Sequence, residues 1–271
     1  MEDPSATTAA VASLAATEEE DDTMVGDAPD LRSVRVLVTG GTSGLGRAMS
    51  TALVSSGARV ALCSRERLRA EEAAAEIGAV GIELDVRDER SVQAGVDAVY
   101  EQFGGLDVLV SNAGIGMRTV NPRFMTDPQP FWKVSPDGFR DVLETKVTGS
   151  FLVARAVTPR MLAAGGGRIV IISMNEQTMT RRGFAPYGPS GAGVEALARV
   201  MAADLAETTV TVNILLPGGA TATGMIPDEV PGDVRERLLD PAIMGPPIVW
   251  LCSQKASGVH DQRIVATEFT N

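Results

Sequence analysis

An apolar run, Val34-Arg35-Val36-Leu37-Val38, leads directly into Thr39-Gly40-Gly41-Thr42-Ser43-Gly44-Leu45-Gly46, and few folds accommodate that succession. The first half reads as a buried strand, the glycines as a tight turn, and the residues beyond as a helix. Amides at the start of such a helix have no intrahelical partner, and the helix dipole favours an anion beside them. The stretch reads as a phosphate cradle. Gly40 and Gly41 permit the turn, Gly44 admits a pyrophosphate to the backbone between Ser43 and Leu45, and Gly46 lets the helix pack closely on the sheet. An ordinary strand-to-helix turn is the bland alternative, and only the rest of the chain decides between them.

That rest alternates. Spacing predicts helices over Arg47–Ser56, Glu66–Ile77, Ser91–Phe103, Phe139–Leu162, Pro186–Glu207 and Ile248–Ser253. Strands are predicted at Ala58–Cys63, Val80–Leu84, Leu106–Val110, Arg168–Ser173, Val210–Leu215 and near Ile264–Thr267. Alternating strands and helices with short links specify an α/β fold: a doubly wound, Rossmann-type parallel sheet of about seven strands in a single domain, binding its ligand at the strands' carboxyl edge. Two longer stretches interrupt the alternation. Residues 115–137 carry four prolines with Phe124, Phe131 and Trp132, and residues 219–247 carry Met225, Ile226, Leu238, Ile243 and Met244. Connections this long are usually functional, so both are expected to cover a substrate, although the first also reads as a surface loop pinned by its aromatics.

The spacing T-G-x-x-x-G-x-G at Thr39–Gly46, joined by Asn112-Ala113-Gly114 after the fourth strand, resembles the short-chain dehydrogenase/reductase family over roughly residues 31–270. The resemblance implies a nicotinamide dinucleotide, with Asp85-Val86 at the adenine ring, Asn112-Ala113-Gly114 beside the cofactor, Pro217-Gly218 after the sixth strand and Thr223 near the nicotinamide amide. Arg65 stands at the carboxyl end of the second strand, where an acid would select NAD and an arginine can pair with a 2′-phosphate. NADP(H) is therefore expected in preference to NAD(H), with a solvated arginine as the plain alternative. The same analogy implies a homodimer or homotetramer built on the two long helices.

The catalytic pattern of that family is broken here. Its members move a proton through a tyrosine whose phenolate is stabilised by a lysine four residues later on the same helix. Tyr187 is present, but Tyr187-Gly188-Pro189-Ser190-Gly191 has glycine in the lysine position. The serine expected thirteen residues before the tyrosine is Met174, which cannot donate a hydrogen bond. Ser173 is adjacent, but one step along a strand turns a side chain to the other face, so it serves only if the strand has ended or bulged. The expected asparagine of the preceding helix is Lys146, on the stripe Phe139, Val142, Leu143, Val147, Ser150, Phe151 and Ala154 that marks the helix's inner face. Lys146 is expected either to supply from one helix the charge that Gly191 removes from another, or to snorkel to the helix edge. The catalytic candidates are Tyr187, Lys146 and Ser173.

Composition narrows the function. The net charge is −11, and residues 1–30 hold nine acids and no Lys or Arg, so −9 of it lies there and −2 in the rest. A disordered acidic tail over 1–30 is expected, with the folded domain over 31–271. No basic surplus points to nucleic acid, and no run approaches the length of a membrane span. Cys63 and Cys252 read as buried thiols of a cytoplasmic protein, His260 as a surface residue, and no metal site is expected. Three functions remain open: an NADP(H)-dependent oxidoreductase on a carbonyl or secondary alcohol with an atypical proton relay, the same pocket repurposed for isomerisation, dehydration or cyclisation, and a silent dinucleotide-binding protein. The substrate is expected to be an apolar small molecule, with Trp132, Met225, Ile226 and Met244 as walls.

Overall fold

In the computed structural model, which describes residues 29–227, 230 and 232–270, the first apolar run forms β1 (Arg35–Thr39). It pairs in parallel with β2 (Arg59–Ser64) on one side and β4 (Val108–Ser111) on the other. A strand flanked on both edges and covered on both faces must be apolar nearly throughout, which is how Val36-Leu37-Val38 reads. The expected acidic tail lies outside the described residues as far as residue 28. At the domain's start Leu31 is fully buried and its amide donates to the Ser56 carbonyl at 2.9 Å.

The remaining strands are β3 (Val80–Glu83), β5 (Gly167–Ile172), β6 (Val210–Leu216) and β7 (Arg263–Val265), and the sheet order is β3-β2-β1-β4-β5-β6-β7, parallel throughout. Side chains alternate across it. Leu37, Leu109, Ile169, Ile171 and Ile214 pack with α3 (Glu89–Phe103), α5 (Gly149–Ala163) and α7 (Tyr187–Leu205). Val36, Val38, Val108, Val110, Val170, Ile172 and Leu215 pack on the other face with α1 (Gly44–Ser55) and α9 (Gly245–Cys252). The order reverses between β1 and β4, and a crevice for a ligand opens there at the strands' carboxyl ends.

Several local expectations change. α1 begins at Gly44 rather than Arg47, so the last glycines of the turn form the helix's own first turn. The helix expected over Phe139–Leu162 is three pieces: α4 (Pro136–Leu143), a wider π-helical turn over Glu144–Thr148, and α5. It starts three residues early because the Ser135 hydroxyl accepts the Gly138 amide at 3.1 Å, with proline at the first helical position. Val142, Lys146, Ser150, Val153, Ala154, Val157 and Met161 face inward, whereas Phe139 and Phe151 face outward, since one step from a buried position turns a side chain about 100° round the helix.

Two expected substrate walls lie elsewhere. Met244 is fully buried in the core layer with Met49 and Ile248, and Trp132 is 72% exposed, edge-on to Phe131 in a 3-10 turn. His260 is no free surface residue: its Nδ1 accepts the Val212 amide and its Nε2 bonds the Ala202 carbonyl at 3.0 Å, tying β6 to α7. Cys63 and Cys252 are buried free thiols, and burial pushes both up to about 12. Among the described residues no helix is long and apolar enough to cross a membrane, and no His, Cys, Asp and Glu cluster could hold a metal.

Candidate active site

The Thr39 hydroxyl joins the two turns that line the crevice. It accepts the amides of Asn112 at 2.9 Å and Ala113 at 3.0 Å, while Asn112 Nδ2 donates to the carbonyls of Thr39 and Gly40. Asn112 is thus spent on holding the first turn, and Thr39 is a positioning residue whose only sequence signal was its place before Gly40. A Cβ on Gly46 would lie 2.2 Å from the Gly40 carbonyl oxygen, so only glycine lets α1 start this close to β1. Gly40 has φ +63° and Gly44 has φ +54°, a region side-chain-bearing residues avoid.

The first helical hydrogen bond of α1 runs from the Arg47 amide to the Ser43 carbonyl at 3.1 Å, so the amides of Gly44, Leu45 and Gly46 precede it. The first turn contains no acid, and Ser43 makes no side-chain cap. An uncapped, glycine-faced helix start is suited to a diphosphate, and these residues fit a dinucleotide. Thr223 stands directly over Gly44, where a Cβ would come within 3.2 Å of its methyl. Pro217-Gly218 follows β6, and Gly218, at φ +93°, is packed so closely under Thr267 that a Cβ would meet its hydroxyl at 2.1 Å.

At the other end of the crevice Arg65 is exposed after β2. Asp85 accepts from the amide, Nε and Nη2 of Arg87, a partner that no motif or periodicity singles out. Burial raises the Asp85 pKa, but the hydrogen bonds from Arg87 and the nearby charges of Arg87 and Arg65 outweigh it, and the net shift is downward. Val86 is buried against Gly149 of α5, where a Cβ would lie 2.7 Å from its methyl.

Tyr187 opens α7. Its hydroxyl donates to the Met225 thioether at 3.8 Å, and its ring packs edge-on to Phe184 among Met117, Phe124, Val120 and Met125. Burial raises its pKa. Lys146 does not snorkel: it is only 8% exposed, and its Nζ donates to the Ile172 carbonyl at 2.6 Å beneath Gly114, where a Cβ would be 3.9 Å away. Burial alone lowers its pKa to about 8. The Ser150 hydroxyl accepts from Ser111 and donates to the Lys146 carbonyl, so the π-helical turn is itself pinned to β4.

Lys146 therefore meets the end of β5 and the Asn112–Gly114 turn, while Tyr187 meets Met225. Among the described residues no hydrogen bond links the two. β5 ends at Ile172, yet the Ser173 amide still donates to the Leu215 carbonyl at 2.9 Å, so the ladder runs one residue further. The Ser173 hydroxyl is buried and, among the described residues, without a partner. The Met174 side chain lies over Gly191, and its carbonyl accepts from Arg263 Nη2 at 3.0 Å while Arg263 Nε bonds Glu195. No periodicity or motif pointed to that clamp.

Comparison with known proteins matches this architecture. The family model for short chain dehydrogenases matches residues 34–232. D-threitol dehydrogenase of Mycolicibacterium smegmatis is 35% identical over 186 residues, 67% of this chain and 68% of that protein. The 3-oxoacyl-[acyl-carrier-protein] reductase FabG of Aquifex aeolicus is 30% identical over 82% of this chain and 90% of its own. Among solved structures, the 3-ketoacyl-(acyl-carrier-protein) reductase of Brucella melitensis in complex with NADH superposes with a TM-score of 0.76 at 28% identity, covering 86% of this chain and 96% of that one. A family model spanning most of the chain and relatives at 30% and 35% identity show that this chain, with its crevice at the β1–β4 reversal, belongs to the short-chain dehydrogenase family.

Proposed function

We propose that the protein is an NADP(H)-dependent reductase of ketones whose flanking groups are apolar, working with an altered proton relay. The observation that carries this reading is Tyr187, set in an apolar cluster at the head of α7 with, among the described residues, only a thioether for its hydroxyl. Gly44, Leu45 and Gly46 would hold the diphosphate, Asn112–Gly114 and Thr223 the nicotinamide side, and Asp85, Val86 and Arg65 the adenosine side with its 2′-phosphate. When bound, the reduced nicotinamide supplies a hydride to the carbonyl carbon of the substrate.

The chain's own part is the proton. A phenol whose pKa is raised by burial stays protonated through the neutral range, so Tyr187 is ready to donate to a carbonyl oxygen and reluctant to take a proton from an alcohol. This favours reduction over oxidation. Lys146 acts from beneath Gly114 by fixing the end of β5 and placing a positive charge at the inner wall of the crevice. A cytoplasmic homodimer or homotetramer fits the same reading.

The test is NADPH consumption across a panel of ketones. Wild-type protein is expected to turn over at least one of them, and Tyr187→Phe to lose about 10²–10⁴-fold in kcat while binding NADPH unchanged. A product formed without any change in nicotinamide absorbance points to repurposed chemistry instead, and tight NADPH binding with no product points to a silent binding protein.

A further inference from the structure

One short segment touches both halves of the crevice. Thr223 lies over Gly44, and two residues later Met225 lies over Tyr187. The segment is held from the opposite wall: Arg118 Nη1 donates to the carbonyls of Gly224 at 2.8 Å and Ile226 at 3.3 Å, so it grips the backbone on either side of Met225. Gly116 makes room for the side chain. A Cβ there would stand 3.1 Å from Met225 Cγ and 3.2 Å from its sulfur, which leaves the thioether fitted against bare backbone on one side and the tyrosine hydroxyl on the other. Within the segment, the Ile226 amide donates to the Thr223 carbonyl at 3.0 Å, so the turn that aims Met225 is itself closed.

A buried phenol hydroxyl needs an acceptor, and a thioether is a poor one. The Met225 sulfur therefore fills the acceptor position beside Tyr187 at little energetic advantage. A methionine can vacate it through three flexible torsions without disturbing the backbone that Arg118 holds. We propose that Met225 is the residue that selects the substrate: its thioether holds the place of the substrate's oxygen next to Tyr187, and the room it can yield sets how bulky a group the ketone carries beside its carbonyl. This rests on the reading of Tyr187 as the proton donor. Arg118 is the positioning residue that keeps Met225 aimed at that spot.

The experiment measures binding as well as turnover. A series of cycloalkanones of increasing ring substitution is titrated by calorimetry into NADP⁺-loaded wild type, Met225→Ala, Met225→Leu and Arg118→Met, with rates measured in parallel. Met225→Ala is expected to tighten binding of the bulkiest ketones about tenfold or more relative to the smallest, because each added methylene contributes about that order of discrimination in an apolar pocket. Met225→Leu keeps a similar volume but replaces the linear thioether by a stiffer branched side chain, and is expected to narrow the accepted range. Arg118→Met is expected to blur it, and NADPH affinity should stay within about twofold in the Met225 variants. Equal shifts across the series, or no ketone binding to any variant, overturn the proposal. Size-dependent binding with no NADPH consumption leaves Met225 as the residue that sets the accepted bulk and removes the reductase reading instead.

Discussion

The Met174 thioether stands in the space that a side chain on Gly191 would need, its Cε and Sδ each 2.8 Å from where a Cβ would be. Two residues 17 positions apart in the sequence, both at positions where catalytic groups are expected, are thus one packing unit in space. The absence of a Cβ at 191 leaves room that the methionine fills, and the methionine closes the route a long side chain from 191 would take.

The unit predicts strong coupling. Gly191→Lys alone should destabilise by about 1–3 kcal/mol through overpacking against Met174. Met174→Ser alone should cost about 2–3 kcal/mol for a lost buried side chain. Each change relieves the other, so the double variant should be more stable than the sum by at least about 1 kcal/mol in a urea-denaturation cycle. Additivity would show that the two sites do not share the space. In the double variant the Tyr187 pKa should also fall, which a spectroscopic titration can follow cleanly because the only other tyrosine in the chain is Tyr100.

Arg65 sets a second prediction. Exposed at the end of β2, it is placed to meet the 2′-phosphate of the proposed NADP(H), while Arg87 is hydrogen-bonded to Asp85. A hydrogen bond to a charged group contributes about 1.5–3 kcal/mol, or roughly 10–100-fold in affinity. Arg65→Ala should weaken NADPH by that much in calorimetry and leave NADH unchanged. An equal loss for both nucleotides would place the phosphate elsewhere.

The fold was legible because its signals are local. Thr39–Gly46 and the alternating apolar strands carry their own geometry, and short links between alternating elements specify a parallel sheet. What stayed hidden depends on distant pairings. The outward turn of Phe139 and Phe151 shows only once α4 and α5 are packed, the buried state of Lys146 depends on the Ile172 carbonyl 26 residues away, and Met244 reads as a wall until α9 is seen against α1. Ser173 was judged by strand alternation, and its amide does keep the ladder, but its unpartnered hydroxyl belongs to a neighbourhood no spacing reveals.

The outward residues make a third prediction. Phe151 and Leu162 on α5 and Val200 on α7 are 46%, 41% and 57% exposed, apolar side chains that a second copy's helices would cover. If these helices meet a second copy, Phe151→Glu should shift the protein to monomer in sedimentation or light scattering, with little change in secondary structure. An unaltered assembly state would take the interface off α5.

Lys146 gives a pH dependence with a definite sign. Its pKa is near 8 in the fold against an ordinary 10.5, because burial disfavours the charged form. Between those two values the unfolded chain binds the extra proton and the folded one does not, so stability should rise with pH across that window. Below pH 8 both states are protonated and the burial cost is present in full; above 10.5 neither is, and the cost is gone. Lys146→Met has no such titration. The difference in unfolding free energy between wild type and this variant should therefore move by about 3 kcal/mol in the wild type's favour from pH 7.5 to pH 10.5, at 1.36 kcal/mol per pKa unit. The variant lacks the donor to the Ile172 carbonyl at every pH, and wild type keeps one in either protonation state, so the missing bond only offsets the two curves and the slope isolates the charge. If the two curves run parallel, the amine is hydrated in solution, and the charge assigned to the inner wall of the crevice lies in water rather than beside Gly114.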